Sequence, residues 1–168
     1  MKMPITNLIK NALSEEIART FPIVEMPKAE KILVPGRGDE YIAEELERFR
    51  NKELDGVAIR LVHQEMSSLT AEAWCWILPH YLRFCLTPEA EYKRMETEFL
   101  IYNLGPEPQF QANAAARLSL LTSQQISTLV NFLNWCLCVD YWRENFSTYL
   151  QRGVEFLSAV LRSKGASG

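Results

Sequence analysis

Apolar residues recur at three- and four-residue spacing along most of the chain, the pattern of helices that bury one face. The first such run ends at Pro22. Residues 22–38 are rich in proline and glycine, which predicts an irregular crossing segment with at most a short strand. A second helix follows, with Asp39 as its expected N-cap. The predicted buried face of the first helix consists of Ile5, Leu8, Ile9, Ala12, Leu13, Ile17 and Phe21.

The apolar pattern in the middle of the chain predicts a third, a fourth and a fifth helix. The third covers residues 54–66, and its expected buried residues are Leu54, Val57, Ala58, Leu61, Val62 and Met66. The fourth helix begins after the N-cap Thr70 and should kink or break at Pro79, because proline lacks the backbone donor that a helix interior requires. A fifth helix starts at Thr87 and Pro88, a hydroxyl cap followed by proline at the first helical position. Its expected buried residues are Tyr92, Met95, Phe99 and Tyr102.

The C-terminal part begins with a loop at residues 103–111. Thr122 and Gln125 then have the spacing of a capping box, which predicts a helix start. A last helical face begins near Asp140, and Gly153 within it would allow another helix to approach closely. The pattern leaves open whether these two helices are continuous. We predict an all-α single domain over residues 1–168, with six or seven helices, a central proline-kinked helix and a flexible tail at residues 164–168.

Composition narrows the class of protein. The 168 residues include 18 Lys and Arg against 21 Asp and Glu, a formal net charge of −3. This balance argues against a general nucleic-acid binder, which usually carries a basic surface. The longest apolar stretch contains His80 and Arg83 and is too short to span a membrane, and the N-terminus lacks the apolar run of a signal peptide. We therefore expect a cytoplasmic protein that contacts neither nucleic acid nor membrane.

The stretch TAEAWCWILPHYLRFCL, residues 70–86, concentrates residue types that are often reactive. Cys75, His80 and Cys85 are five residues apart, however, so on a helix they point in different directions and cannot share one metal ion. Cys136 and Cys138 diverge for the same reason. We therefore expect structural, reduced cysteines buried in apolar surroundings, with no metal and no cofactor.

A reactive pair assembled in space is the alternative interpretation of these residues. Cys75 with His63 or His80 would serve a small hydrolase or transferase, because nucleophile and base need to be close only in the folded chain. The simpler expectation is a core cysteine and two partly exposed histidines. We therefore favour a non-enzymatic protein and assign no catalytic residue.

Two further patterns suggest binding. PGRGD, residues 35–39, offers a turn before a helix N-terminus that could bind an anion, although a flexible turn with a cap is the simpler interpretation. The second helix carries an acidic face that could attract a basic partner. Trp76 lies on the other face of its helix and would cover a neighbour or a partner. The predicted partner-binding residues are Asp39, Glu40, Glu44, Glu45, Glu47 and Trp76.

Two motifs resemble those of an uncharacterised bacterial all-helical family, and the resemblance covers the chain from about Leu54 to the last helix. The family has a Y-L-P-A-Y-L core motif, which corresponds to residues 77–82 here, and an L-T-x-x-Q helix start, which corresponds to residues 121–125. This chain has isoleucine at position 77 in place of an aromatic residue, and His80 in place of alanine. The resemblance implies a helical fold and transfers no activity.

Three hypotheses about function follow. We favour a non-catalytic bacterial protein-binding module, such as an immunity or antitoxin-like protein that occludes a basic toxin or effector. The second is the Cys/His-dependent hydrolase or transferase. The third is a homo-oligomeric structural or regulatory protein that uses aromatic residues on second helix faces, namely Trp76, Phe84, Trp135 and Trp142.

Overall fold

The computed structural model describes residues 4–37 and 40–167, and within them the chain forms nine α-helices and no strand. The fold is an all-α single-domain bundle, as predicted, although with more helices than the six or seven expected. The helices are α1 Ile5–Thr20, α2 Glu40–Glu47, α3 Gly56–Val62, α4 Ala71–Cys85, α5 Pro88–Lys93, α6 Met95–Leu104, α7 Gln111–Arg117, α8 Ser123–Cys138 and α9 Asp140–Ala166.

The N-terminal helix and the crossing segment form where the pattern placed them. Leu13, Ile17 and Phe21 of the predicted face are buried, but Ile5 is 76% exposed because the first turns of α1 extend beyond the core. Leu8 is also exposed. The crossing segment contains one short 3₁₀ turn, Ala29–Lys31, and a single bridge to Leu69 in place of a strand.

Helix α4 is the centre of the bundle, as predicted. Its N-cap Thr70 accepts a hydrogen bond from the Ala73 amide at 3.1 Å, and the helix contacts α1, α3, α5 and α7. The helix continues through Pro79. The predicted break is therefore wrong, and a smaller kink stays a prediction. The buried residues cover most of the circumference of α4 and are Ala73, Trp74, Trp76, Ile77, Leu78, Pro79, His80, Tyr81, Leu82, Phe84 and Cys85.

Two predicted helices are shorter or more divided than their apolar pattern suggested. The third ends at Val62, and Met66–Ser68 form a separate 3₁₀ turn. Val57, which the pattern placed on the buried face, is 58% exposed. The fifth divides at Arg94, whose positive φ of 66° separates α5 from α6. Tyr92 and Met95 of its predicted buried face are consequently exposed. The residues of α6 that are buried instead are Glu96, Thr97, Leu100, Ile101 and Leu104.

The last two helices pack against each other more extensively than any other pair. They are separate, because Val139 between them has extended dihedrals. The predicted capping box of Thr122 and Gln125 is confirmed, with both reciprocal hydrogen bonds formed. Helix α9 has a kink at Phe146 and extends to Ala166, so most of the expected tail is helical.

Gly153 of α9 makes the close approach that the sequence predicted. A Cβ built at this position would lie 2.7 Å from Leu133 Cδ1 and 3.0 Å from the Leu104 carbonyl oxygen. The absence of a side chain therefore lets α9 pack directly on α8 and on the end of α6. Among the described residues, none of the helices has both the length and the apolar composition needed to cross a lipid bilayer.

Candidate binding site

A cavity of about 310 Å³ opens where three parts of the bundle meet. The first turns of α1 form one side, the α5–α6 junction forms the second, and the α8–α9 junction forms the third. Trp135, Tyr141 and Trp142 supply an aromatic wall, and Lys10 and Arg94 supply positive charge. The volume is at the lower end of the range for pockets that bind small molecules or a partner's side chain.

Arg94 is held in an unusual position at this cavity. Its backbone is left-handed, which costs a non-glycine residue about 1–2 kcal/mol, yet the geometry lets it end α5 and begin α6. The guanidinium carbon lies 3.7 Å from the centroid of the Tyr141 ring. In the described part of the chain, no carboxylate forms an ion pair with Arg94. The site therefore presents an exposed, oriented cation.

Trp135 contributes an unpaired donor to the same cavity. Only 3% of this residue is exposed, and its indole Nε1–H is buried without a hydrogen-bond acceptor. A buried polar group without a partner costs about 1–3 kcal/mol. Trp135 thus combines a ring that lines the cavity with a buried donor that has no acceptor in the protein.

The mouth of the cavity combines an ion pair with exposed apolar groups. Lys10 of α1 forms an ion pair with Glu91 of α5, which links two sides of the opening. Tyr92 is 88% exposed and Met95 is also exposed, and both adjoin cavity residues in sequence. Aromatic residues, methionine and arginine are enriched at protein interfaces. The cavity residues and their neighbours in sequence therefore include residue types that are common at interfaces.

The acidic face of α2 is weaker than the sequence suggested. Glu45 pairs with Arg48 at 2.9 Å, and Glu47 accepts two hydrogen bonds from Arg50 at 2.6 Å. The second contact lowers the pKa of Glu47 below its ordinary value, chiefly through these hydrogen bonds. Glu45 and Glu47, two of the predicted partner-binding acids, thus already form ion pairs with nearby arginines. Glu44 is exposed, whereas Asp39 and the side chain of Glu40 lie outside the described residues.

The alternative interpretation, a reactive pair of Cys75 with His63 or His80, finds no support in the hydrogen bonds of the described residues. His63 forms a 2.7 Å hydrogen bond with the Arg60 carbonyl oxygen, and the Leu54 amide donates to His80 Nδ1 at 3.3 Å. In the described residues no hydrogen bond joins either histidine to the Cys75 thiol. Burial raises the pKa of that thiol, which opposes formation of a nucleophilic thiolate.

Two further predictions were wrong: the histidines were expected to be partly exposed, and Cys138 was expected to be buried. Both histidines are buried, because α4 is surrounded on nearly all sides and α3 packs on α6 through His63 and Phe99. Cys138 is exposed at the end of α8, whereas Cys85 and Cys136 are buried as predicted. All four cysteines are free thiols. Within the described residues, no group of three His, Cys, Asp or Glu side chains could hold a metal ion.

The aromatic residues proposed for partner or oligomer contacts lie inside the monomer. Trp76 is 3% exposed, so most of its ring lies in the core, although it also lines a separate cavity with His80 and Arg83. Phe84 is buried as well. Trp135 and Trp142 are also buried, but they line the cavity, which gives them a different candidate role.

Sequence reasoning missed Arg94 and Tyr141 as site residues. One signal was present, since two tryptophans and a tyrosine fall within residues 135–142. No pattern indicated that Arg94 would adopt a left-handed backbone or that α1 would complete the site. Comparison of the chain with known protein families, with curated proteins and with solved structures gives no match.

Proposed function

We propose that this protein is a non-catalytic binding protein, and that a partner protein docks at the cavity formed by Trp135, Tyr141, Trp142 and Arg94. The observation that carries this proposal is the guanidinium of Arg94, held over Tyr141 without an acidic partner in the described residues. Stacking on an aromatic ring orients a guanidinium, and its planar donors match a carboxylate in pairs. The expected partner therefore inserts an aspartate or glutamate side chain.

The rest of the surface supports docking of a protein segment. The aromatic wall would pack against apolar atoms next to the inserted carboxylate, and Tyr92 and Met95 extend the apolar area beyond the cavity. Arginine, tryptophan and tyrosine are the residues that most often dominate binding energy at interfaces. Two cations against one carboxylate, Glu91, give the cavity residues a net positive charge that favours an anionic group.

The biological setting that we propose is the one hypothesised from the sequence. An immunity or antitoxin-like role, in a bacterial cytoplasm, would require the chain to occlude a functional surface of its partner. The basic partner predicted from α2 is replaced here by a partner with an acidic contact residue, because Glu45 and Glu47 already pair with arginines.

Selection from a random peptide display library tests the proposal with the full chain. Peptides should be selected on the unmodified protein and then measured individually against Arg94→Gln and against Arg19→Gln, an exposed arginine of α1. The proposal predicts enriched peptides that contain Asp or Glu and bind Arg94→Gln at least about tenfold more weakly, the loss of one charge-assisted contact. Binding to Arg19→Gln should be unchanged.

Two results would contradict this proposal. One is a library that yields no acidic peptide. The other is a set of peptides that bind Arg94→Gln as tightly as the unmodified protein. Glu44→Gln tests the α2 surface in the same assay, since loss of binding in that variant alone would move the site to the acidic face.

A further inference from the structure

A second cavity, of about 380 Å³, lies beside the N-terminus of α4 and is separate from the site described above. Arg37 of the crossing segment and Arg117 at the end of α7 both contribute to its wall. Among the described residues, its remaining lining includes Thr70 and Asn113 and no acidic side chain. In the described residues neither arginine forms an ion pair with a carboxylate.

Arg117 is the more constrained of the two arginines. Its Nε is buried and has no hydrogen-bond acceptor, and its Nη1 reaches the Ser67 carbonyl oxygen only at 3.5 Å. Burial and, secondarily, the positive charge of Arg37 lower the pKa of this guanidinium. A part-buried cation next to a second cation is unfavourable unless an anion compensates for it. Arg117 also lies 5.7 Å from the centroid of the Trp74 ring, and Arg37 is exposed, so in the described residues the cavity has two positive charges without a paired carboxylate.

The first turn of α4 adds to the positive potential of the cavity. Thr70 and Ala71 line it, and the leading amides of a helix have no intrahelical acceptor. Glu72, in the same turn, is directed toward Lys31, with 3.4 Å between Lys31 Nζ and Glu72 Oε1. Glu72 is not among the residues that line the cavity.

We propose that this cavity binds a phosphoryl group, either as inorganic phosphate or on a small phosphomonoester. Two guanidinium groups from different segments can each donate a pair of hydrogen bonds to a tetrahedral oxyanion, and Ala71 in the first turn of α4 lines the same space. This site goes beyond the proposed docking function and does not depend on it. The PGRGD turn thus contributes Arg37 to an anion site at α4, and not at α2 as its sequence position suggested.

Isothermal titration of the full chain with inorganic phosphate tests the site, with sodium chloride of equal ionic strength as the reference. Glycerol 3-phosphate provides the ester arm. The variants are Arg37→Gln and Arg117→Gln, with Arg162→Gln as the matched control, because Arg162 is an exposed arginine on α9. Phosphate should bind the unmodified protein, and each site variant should raise Kd about tenfold or more. Arg162→Gln should bind normally.

Comparison of the two probes shows which form of the phosphoryl group the cavity prefers. Tighter binding of inorganic phosphate identifies the free ion as the ligand form, tighter binding of the ester identifies a phosphomonoester, and equal binding shows that the site recognises the phosphoryl group alone. Absence of phosphate binding to the unmodified protein overturns the proposal, as does normal binding by Arg37→Gln. Arg37 is exposed, so its substitution should leave the fold intact and decides the question even if Arg117→Gln fails to fold.

Discussion

The guanidinium of Arg94 rests 3.7 Å from the centre of the Tyr141 ring, and this contact joins the turn between α5 and α6 to the first residues of α9. The contact holds the arginine while its backbone is in a left-handed conformation. Residues in sparsely populated backbone conformations cluster at functional sites, where the surrounding structure holds them in place. Arg94 is therefore both the strained point of the helix junction and the cation of the proposed docking site.

Replacing Arg94 separates its backbone role from its side-chain role. Glycine adopts a positive φ without steric cost, so Arg94→Gly should be more stable than Arg94→Gln by about 1 kcal/mol. Both variants lose the guanidinium and should lose acidic-peptide binding equally. Urea denaturation measures the first difference and peptide titration the second. Equal stability of the two variants would show that the left-handed backbone carries no strain.

Gly153 should be intolerant of even one methyl group. Alanine there would place Cβ 2.7 Å from Leu133 Cδ1 and 3.0 Å from a backbone oxygen, so overpacking should destabilise the protein by about 1–3 kcal/mol. Gly165 of the same helix has nothing within 4 Å of its built Cβ. Gly165→Ala should therefore be neutral or stabilising by up to about 1 kcal/mol. Chemical denaturation of the two variants measures both effects, and similar losses would contradict the packing described.

Of the two glutamates that form ion pairs with Arg60, Glu96 should contribute more to the free energy of unfolding than Glu89. It is 1% exposed and accepts from Arg60 Nε at 2.8 Å, whereas Glu89, the other partner of Arg60, is largely exposed. Glu96→Gln should lower the free energy of unfolding by about 1–3 kcal/mol, because a buried charged contact is removed. Glu89→Gln should cost less than about 1 kcal/mol, as exposed pairs do. Denaturant titration distinguishes the two, and an equal cost would argue against burial of Glu96.

The protein should lose stability at alkaline pH. Burial raises the pKa of Cys85 from 9.0 to about 12, so the native state keeps a proton that the unfolded chain releases. The native state then binds more protons than the unfolded state between these values, and the free energy of unfolding falls as pH rises through this window. Denaturation of the unmodified protein at pH 8 to 11 should show the fall.

Single cysteine variants show which thiol contributes to the fall in the free energy of unfolding with pH. Cys85→Ala should show a shallower fall between pH 9 and 11, although its stability at neutral pH will be lower because a core group is shortened. Cys138→Ala, at an exposed thiol, should match the unmodified slope. Tyr81 and Cys136, whose pKa values burial also raises, should leave a residual fall in Cys85→Ala. Identical slopes in all three proteins would exclude Cys85 as a contributor.

The sequence predicted the helices wherever a local signal agreed with a long apolar pattern. Thr70 and Thr122 are N-caps in the structure as in the pattern, and Gly153 makes its expected close approach. The predictions failed where tertiary packing decided the outcome. The stripe that contains Tyr92 and Met95 has helical spacing, but the left-handed Arg94 rotates the following helix and buries Glu96 in their place.

The candidate site was harder to predict than the fold for a physical reason. It combines three segments that are distant in the chain, and its distinguishing features are an unpaired cation and an unpaired indole donor. Neither feature has a sequence signature, because pairing depends on which side chains meet in space. In α4, by contrast, Cys85 is buried as expected, whereas His80 is more buried and Cys75 less buried than the sequence suggested, and none of the three lines the candidate site.

The indole N–H resonances of the four tryptophans provide the most direct measurement of the docking proposal. A selected acidic peptide, and the same peptide with its Asp or Glu changed to Asn or Gln, should each be titrated into ¹⁵N-labelled protein. The account predicts a saturable shift of the Trp135 Nε1–H resonance with the acidic peptide, which is lost with the amide peptide and in Arg94→Gln. A Trp135 resonance that stays fixed while the peptide binds would contradict it.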